Sequence, residues 1–581
     1  MADRPFHIMH VNLETGRGER ADFSAPDECL GGSGLAARLF EKYGGLDRPA
    51  FSPAQPLIFA IGPLTGRYPL MSKVVCGFKS PYTGQYAESH AGGRLALALR
   101  FAGFDALVIT GRAKRLSALT VAGRKLALAD VEYLRGRDVF STGKHLRHKS
   151  GASGHRSILR IGPAGENLLA YACINVDSFR HFGRLGSGAV MGAKNLKAVM
   201  VVGDRELPLG AGKEYKKIFK DIYAKLTTTD MMSKYHNLGT PQNVIPLNEL
   251  NALPWKNLQQ TSDPGAEGIS GERFAEQLLL RQTACSGCPV GCIHIGLLRE
   301  QFAGEHEYLY RQVSYDHEPI FACGAMLALS NASDVLAVLD ACERQGMDVM
   351  SAGVALAWAA EALEKGVVTE KQTVVPLRFG QAKGFIAAMD LLGSRANEFY
   401  EILGRGALVA AEHYGGTDFA CVLGQEMAGY ATGEVFFVSQ ALGFRHSHLD
   451  SGGYSYDQKA KDKDVGKAVR FMVDDEKGRV MLTCMVSCLF ARGIYTPELL
   501  AEALDAAGFP ATAQNLDALA SEAQRLRWRL KLDTGYDPGK VTIPRRFSEV
   551  VTWKGAMDQG YMDALRGAYA KAIVDLGARQ E

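Results

Sequence analysis

Three thiols stand within eight residues in Cys285-Ser-Gly-Cys288-Pro-Val-Gly-Cys292, and whatever fold the chain adopts must present that loop. Gly287, Pro289 and Gly291 bend the backbone between the thiols, so a single loop can wrap three corners of a small cube. An iron–sulfur cubane takes four thiolates, and the fourth commonly comes from elsewhere in the chain. Cys484 and Cys488 are the candidates, both far downstream. A structural Cys₄ zinc site is the alternative, and it usually adds a second close pair. Either way, distant segments must meet at this loop.

At 581 residues the chain is long enough for roughly three or four domains and too long for one hydrophobic core. Apolar residues make up 47% and charged residues 22%, and Lys+Arg 66 against Asp+Glu 63 leaves a net charge of +3. That balance fits neither wholesale disorder nor a polybasic nucleic-acid binder. The opening Met1-Ala2-Asp3-Arg4-Pro5 has no basic or apolar leader region and no twin arginine. The longest apolar runs, such as Pro56 to Pro63, fall short of the ~18 residues a spanning helix needs. A cytoplasmic protein without membrane insertion is expected. In a reducing compartment 11 cysteines are not a disulfide framework, and scattered ones such as Cys29, Cys173 and Cys421 read as small buried hydrophobes.

Residues 1–205 read as β-rich: short apolar segments such as Phe6 to Leu13, Leu57 to Ile61 and Leu107 to Thr110 alternate with Gly and Pro signals. Leu116 to Leu128, with Gly123 in the middle, predicts a hairpin. After Leu207 the periods become helical, with helices expected at Ser333 to Gln345, Ser351 to Lys365, Ser394 to Leu403, Pro497 to Ala507 and Leu516 to Leu530. The expected class is α+β: a β-rich N-terminal domain, a helical domain over 206–400 that carries the cysteine loop, and a helical C-terminal domain over 401–581. No internal repeat is evident.

The 64 glycines gather in several loops of the β-rich third: Leu30-Gly31-Gly32-Ser33-Gly34, Gly62-Pro63-Leu64-Thr65-Gly66, Ala91-Gly92-Gly93-Arg94, Gly162-Pro163-Ala164-Gly165-Glu166-Asn167, and the run from Gly183 to Lys197. Exposed backbone N–H groups in such loops can bind phosphate, with Arg184, Lys194 and Lys197 adding charge. Gly186-Ser187-Gly188 matches neither a Walker loop nor a dinucleotide fingerprint, so ATP and NAD are poor candidates. Two further segments are dense in titratable groups: Tyr315-Asp316-His317-Glu318-Pro319, and Arg445-His446-Ser447-His448-Leu449-Asp450 followed by Tyr454 and Tyr456-Asp457.

Taken in order with Val11-Asn12-Leu13-Glu14-Thr15-Gly16, these segments resemble the tungsten-containing aldehyde ferredoxin oxidoreductase family over nearly the whole chain. The resemblance implies a β-rich pterin-binding base, two helical domains, and a bis(pyranopterin) tungsten cofactor with magnesium bridging the pterin phosphates; molybdenum accepts the same donors. It further implies a [4Fe–4S] cluster on Cys285, Cys288, Cys292 and Cys488. Pterin contacts would fall at Lys73, at His90 with Gly92 and Gly93, and at Gly183, Arg184, Leu185 and Gly186. A pterin loop of the family corresponds to Glu343-Arg-Gln-Gly346-Met347-Asp348; a second corresponds to Thr483-Cys-Met-Val486-Ser487-Cys488, which lacks the usual acid and glycine. Glu318 and His448 would be the acid–base pair, with His446 beside them. Cys323 reads as a buried structural residue, with direct ligation of the metal as the alternative.

The reaction implied is oxidation of an aldehyde to a carboxylic acid, with electrons passed to ferredoxin or an iron–sulfur partner subunit. The Gly443-to-His448 and Ser487-to-Arg492 segments look more like the branch of the tungsten-dependent benzoyl-CoA reductase. Low-potential reduction of an aromatic acyl-CoA or a carboxylic acid is therefore the alternative. A non-catalytic iron–sulfur electron-transfer protein is the rival of another class. Homo-oligomers and hetero-oligomers stay equally open.

Overall fold

The computed structural model describes residues 3–579 apart from 124, 150–153, 208–211, 303 and 305. Met1-Ala2 of the leader reading and the residue after Gly123 in the hairpin therefore lie outside the described residues. The N-terminal third folds into two six-stranded sheets. In the first, the spatial order is Arg17–Phe23, Phe6–Asn12, Ala106–Thr110, Leu57–Ala60, Val74–Lys79 and Tyr86–Ala91. In the second it is Arg180–Phe182, Ile174–Val176, His155–Arg160, Leu196–Gly203, Ser117–Ala122 and Lys125–Asp130. Each sheet has one parallel pair among antiparallel neighbours. The last two strands of the second sheet form the expected hairpin.

Sequence character matches position. Val74–Lys79 is buried along its whole length, as an inner strand covered on both faces requires. The edge strand Arg17–Phe23 is exposed and charged, which discourages pairing with another chain. Val11, Phe59, Leu107, Leu119, Leu159 and Val199 belong to one core shared by both sheets, and the helix Leu95–Ala102 packs on the strands of the second. The helix Gly32–Tyr43 covers the other face of the first sheet and rests on Leu516–Asp533 near the chain's end.

The remainder is mainly helical, with two departures from expectation. The middle portion carries a three-stranded antiparallel sheet, Leu279–Thr283, Ile293–Gln301 and Tyr308–Tyr315. Its outer strands mix polar residues with exposed apolar ones such as Leu280, Leu309 and Tyr310, so no clean apolar period announced it. The segment from Ser394 to Leu403 is two helices. Ala382–Ser394 stops at Arg395 in the left-handed region (φ 51°), and Glu398–Leu403 restarts where the Asn397 side chain accepts from the Tyr400 N–H. Val349–Glu364 is buried on nearly every side, as its all-round apolar composition demands. Among the described residues no single helix is long and apolar enough to cross a membrane.

Several glycine loops serve packing, not phosphate. A Cβ on Gly32 (φ +49°) would collide with the Thr483 carbonyl oxygen, and one on Gly62 would lie 2.7 Å from that of Cys484. These two loops thus bring the N-terminal third into backbone contact with the end of the helix Val465–Cys484. A Cβ on Gly162 would strike the Gln345 carbonyl in the same way. Lys194 and Lys197 are likewise no phosphate ligands: Lys194 donates to the Pro53 and Gln55 carbonyls at 2.9 and 2.6 Å, and Lys197 pairs with Glu166.

The Gly32→Ala substitution should therefore cost about 3 kcal/mol, combining positive-φ strain with a backbone clash. Gly84→Ala, at φ +79° but with open space around it, should cost only about 1 kcal/mol. Thermal denaturation of the two variants would reveal the gap, and equal losses would refute the close approach as the reason for glycine.

Candidate redox active site

The cysteine loop closes a hairpin. Thr283 pairs with Ile293 in antiparallel register, and Cys285 to Cys292 form the connection, with Gly287 and Gly291 at φ +69° and +67°. Residues 70–73 stitch this loop to Cys488. The Leu70 N–H donates to the Gly287 carbonyl at 3.0 Å, its carbonyl accepts from the Cys488 N–H at 3.2 Å, and the Lys73 N–H donates to the Val486 carbonyl at 3.0 Å. On the other flank the Ser286 N–H donates to the Gly93 carbonyl at 3.0 Å. Burial raises the thiols of Cys288 and Cys292 to about 11 and about 12, and both feel the thiols of Cys488 and Cys285. Cys484 faces away, taking a hydrogen bond from the Gly34 N–H. Among the described residues, no three His, Cys, Asp or Glu side chains stand close enough together to hold a single metal ion.

Next to the thiols lies a cavity of about 690 Å³ that adjoins a smaller one of about 200 Å³. They share walls that include His90, Arg180, Gly183, Asp316, Glu318 and Asp348. Cys292 reaches the larger space and Lys73 the smaller. A Cβ on Gly92 would lie 2.5 Å from Cys285 Sγ and 3.1 Å from Lys73 Nζ, so the Lys73 ammonium stands between thiols and cavity. Burial works against its charge, and the thiols of Cys488 and Cys285 outweigh burial, holding Lys73 above the ordinary lysine range.

The cavity wall is rich in cations. Arg184 donates to the Glu426 carbonyl through Nη2 and lies 3.5 Å from Asp348 Oδ2 through Nε. Its Nε and Nη1 are buried with no hydrogen-bond partner, an arrangement that suits a bound anion. Glu88, Arg527 and His90 form a second group: Arg527 Nε lies 2.9 Å from Glu88 Oε1, and His90 Nε2 lies 3.2 Å from Glu88 Oε2. Burial alone would raise the Glu88 carboxyl, but the Arg527 guanidinium and His90 overcome it and hold Glu88 at about 2. Burial, aided by Arg445, lowers His90 to about 4.

Glu318 sits in the first turn of the helix His317–Cys323, directly after the strand Tyr308–Tyr315. Its Oε2 accepts from the Gly429 N–H at 2.9 Å, while His317 Nε2 reaches the Gly429 carbonyl at 3.0 Å. His448 comes from a turn organised by Asp450, whose carboxylate accepts from the Arg445 and Ser447 N–H groups at 2.7 and 3.1 Å. His448 Nε2 stands 3.4 Å from Glu318 Oε1, and its Nδ1 has no partner. Burial pushes Glu318 up to about 8. Burial, reinforced by Arg184 and His317, drives His448 down to about 3. At neutral pH the pair is therefore uncharged, with the proton on Glu318.

The remaining expected residues divide. Glu343, Met347 and Asp348 line the smaller cavity; Glu343 Oε1 holds His181 Nε2 at 3.0 Å, and Asp348 caps the following helix through the Ser351 N–H. Leu185, Gly186, Gly346 and Gly93 stand behind the wall. A Cβ on Gly186 would collide with the Ala170 carbonyl, Gly346 packs on Gly162, and the Leu185 carbonyl accepts from Ser80 at 2.7 Å. His446 is a correction to the expected acid–base set. Its Nδ1 lies 2.9 Å from the Ala441 carbonyl and its Nε2 3.0 Å from Lys531 Nζ, outside both cavities. Cys323 is fully buried and lines neither space, which leaves the structural reading. Thr483 Oγ1 accepts a hydrogen bond from the Ser33 hydroxyl at 2.9 Å and likewise lines neither space. Arg180 and His181 were missed, although they stand three and two residues before Gly183; Lys234, Tyr430 and Arg492 were missed because lone residues on helices and turns carry no local signal.

Comparison with known proteins identifies the family. The family model of the aldehyde ferredoxin oxidoreductase N-terminal domain matches residues 8–203, and that of its domains 2 and 3 matches residues 217–572. The chain is 29% identical over 564 residues to the tungsten-containing aldehyde ferredoxin oxidoreductase of Pyrococcus furiosus, covering 93% of this chain and 91% of that one. It is 31% identical over 435 residues to the enzyme of the same name from Pyrococcus abyssi, covering 73% and 70%. Among solved structures, the active site complex BamBC of benzoyl coenzyme A reductase, in complex with 1,5-dienoyl-CoA, shares the fold. The TM-score is 0.81 at 19% identity, over 98% of this chain and 95% of that one. By two consecutive domain matches and near full-length similarity, the chain belongs to the aldehyde ferredoxin oxidoreductase family.

Proposed function

We propose that this chain oxidises aldehydes to carboxylic acids at the Glu318–His448 pair and passes the electrons through a [4Fe–4S] cluster to ferredoxin or an iron–sulfur partner subunit. The observation that carries this reading is the uncharged pair at 3.4 Å in a cation-rich cavity whose wall includes Cys292. The names of the relatives support the substrate class. In this reading residues 1–205 form the pterin-binding base, 206–400 carry the thiol loop, and 401–581 supply Cys488.

The donor set fits the cofactors. Four thiols that meet without converging on one point suit a multi-atom cluster, and one loop plus a distant cysteine is a common cubane pattern. A bis(pyranopterin) tungsten centre would find hydrogen-bond donors for its anionic groups in the open Nε and Nη1 of Arg184, with Lys73, His90, Gly92 and Gly183 along the same walls. When bound, that centre supplies the two-electron acceptor.

The protein's own work is proton transfer and positioning. An aldehyde and water give a carboxylate, three protons and two electrons. Glu318, once deprotonated, takes a proton from the attacking water. His448, facing it through Nε2, can relay that proton, and its free Nδ1 can orient the carbonyl or the water. The N–H of Gly429 fixes Glu318 Oε2, leaving Oε1 for the reaction.

Because Glu318 is raised to about 8, its base form grows as pH rises, so kcat/KM should climb tenfold per unit below pH 8 and level above it. Glu318→Gln should retain metal and cluster, lose about 10²–10⁴-fold in aldehyde-dependent viologen reduction, and lose the pH rise. A wild-type pH profile in Glu318→Gln would show that the base lies elsewhere. Iron analysis of anaerobically purified protein should find about four irons per chain. Cys288→Ser and Cys488→Ser should deplete them, and Cys484→Ser should not; zinc in place of iron would sink the cluster assignment.

A further inference from the structure

We propose that Lys531 is a positioning residue for the reaction, acting with His446 to fix the turn that presents Arg445 and His448 to the cavity. The inference rests on the Glu318–His448 reading above and names what holds that pair in place. Lys531 stands in the last turn of the helix Leu516–Asp533 and is 1% exposed. Its side chain forms no ion pair among the described residues. Nζ instead donates to the Phe444 carbonyl at 2.6 Å, to the Gly443 carbonyl at 3.2 Å and to His446 Nε2 at 3.0 Å. Three acceptors match the three protons of an ammonium. The rings of Tyr536, Phe444 and Trp528 stand 4.2, 5.5 and 5.5 Å from it and close it from water.

The turn needs such a donor. The helix Glu434–Leu442 ends at Gly443, so the Phe444 carbonyl lies beyond its last turn and must be satisfied from elsewhere. A cation at that end also suits the helix dipole. Gln425 donates to the next two carbonyls, those of Arg445 and His446, at 2.6 and 3.1 Å, while Asp450 accepts from the Arg445 and Ser447 N–H groups. His446 sits in the left-handed region at φ 51°, and its Nδ1 faces the Ala441 carbonyl at 2.9 Å. Its ring thereby joins Lys531 to the helix before the turn, which gives this histidine a task outside the cavity.

Two contacts inside the cavity depend on the turn: Arg445 Nη1 lies 3.2 Å from His90 Nδ1, and His448 Nε2 lies 3.4 Å from Glu318 Oε1. A displacement of ~1 Å at such a contact can cost about 10²-fold in rate. Burial pulls Lys531 down to about 7, opposed by Asp450 and Glu476 and reinforced by Arg527. Loss of the charge still leaves two N–H donors, enough for the two carbonyls, so the backbone tie survives at the higher pH where Glu318 acts as base.

The test uses the holoenzyme. Lys531→Met keeps the length of the side chain and removes its donors; it should retain iron and tungsten, lose about tenfold or more in kcat, and hold KM within about twofold. His446→Asn, which tolerates the left-handed backbone and keeps a donor for Ala441, should lose several-fold in kcat. In a His448→Asn background, Lys531→Met should cost less than about twofold more, because a residue that acts through His448 has nothing left to act on. Lys540→Met, whose side chain is 86% exposed, should match the wild type. Amide exchange read by mass spectrometry is free of turnover: in Lys531→Met the segment 443–450 should exchange about tenfold faster or more, while the inner strand Val74–Lys79 keeps its rate. Wild-type kcat in Lys531→Met, unchanged exchange over 443–450, or losses that multiply in the double variant each overturn the proposal. If Glu318→Gln still oxidises aldehydes at the wild-type rate, the parent reading has failed, and exchange over 443–450 alone decides whether Lys531 holds the turn.

Discussion

The backbone contacts of Leu70 to Lys73 hold the site together. One carbonyl and two N–H groups of this short segment tie the thiol loop at Gly287 to the Cys488 turn at Val486 and Cys488, and the Lys73 side chain then projects into the cavity beyond. The segment belongs to the N-terminal third, the loop to the middle of the chain and Cys488 to the last part, so all three parts must be folded before four thiols can meet. Gly32 and Gly62, which lie against the backbone of Thr483 to Met485, serve the same closure. Side chains there would hold the C-terminal helix off the first sheet and pull Cys488 away from its partners.

A site assembled this way can separate electron flow from proton handling. The thiols sit on one side of Lys73 and Gly92; Glu318, His448 and the unpartnered Arg184 donors sit on the other. The Lys73 ammonium, kept charged against burial by nearby thiols, stabilises negative charge on whatever the thiols bind and on whatever anion fills the inner cavity. The protein's near-neutral net charge of +3 conceals this concentration of cations within the cavity, because their counter-charges lie beside them at Asp450, Asp475 and Asp348.

Much of this was legible before the fold was known, and the misses have physical causes. The Cys285-to-Cys292 spacing identified the loop, and the helices Ala332–Gln345, Val349–Glu364 and Leu516–Asp533 followed from apolar period. Spacing alone left Cys484 and Cys488 as equals, since only tertiary packing turns one toward Gly34 and the other toward Leu70. Glycine-rich loops were ambiguous for a related reason: absence of a side chain permits close approach to phosphate and to backbone alike, and Gly32, Gly62, Gly162 and Gly186 use it for backbone. Lys194 looked like a phosphate ligand because sequence shows charge and not the carbonyls of Pro53 and Gln55 that hold it. The strand Tyr308–Tyr315 was hidden because its Tyr-Leu-Tyr-Arg-Gln-Val-Ser-Tyr run keeps no regular apolar–polar alternation at its half-exposed edge.

Two carboxylates in one cavity show how environment assigns roles. Glu88 and Glu318 are both buried, and burial by itself would raise both. Glu88 has a guanidinium at 2.9 Å and an imidazole at 3.2 Å, and stays ionised down to about 2. Glu318 has one backbone N–H, a distant Arg184 and an imidazole that is itself driven to the neutral form, and it keeps its proton up to about 8. Divergence of this kind between neighbouring acids separates a fixed charge from a proton carrier. Glu88 cannot serve as the base at neutral pH, because a carboxylate that holds its proton so weakly has no driving force to take one from water. Glu318 can, and the lack of any cation within bonding distance of Oε1 is the feature that makes it able to. A cation brought there, for example by moving the open Arg184 donors toward Glu318, would erase the distinction between the two residues and with it the basis for the acid–base role proposed for the pair.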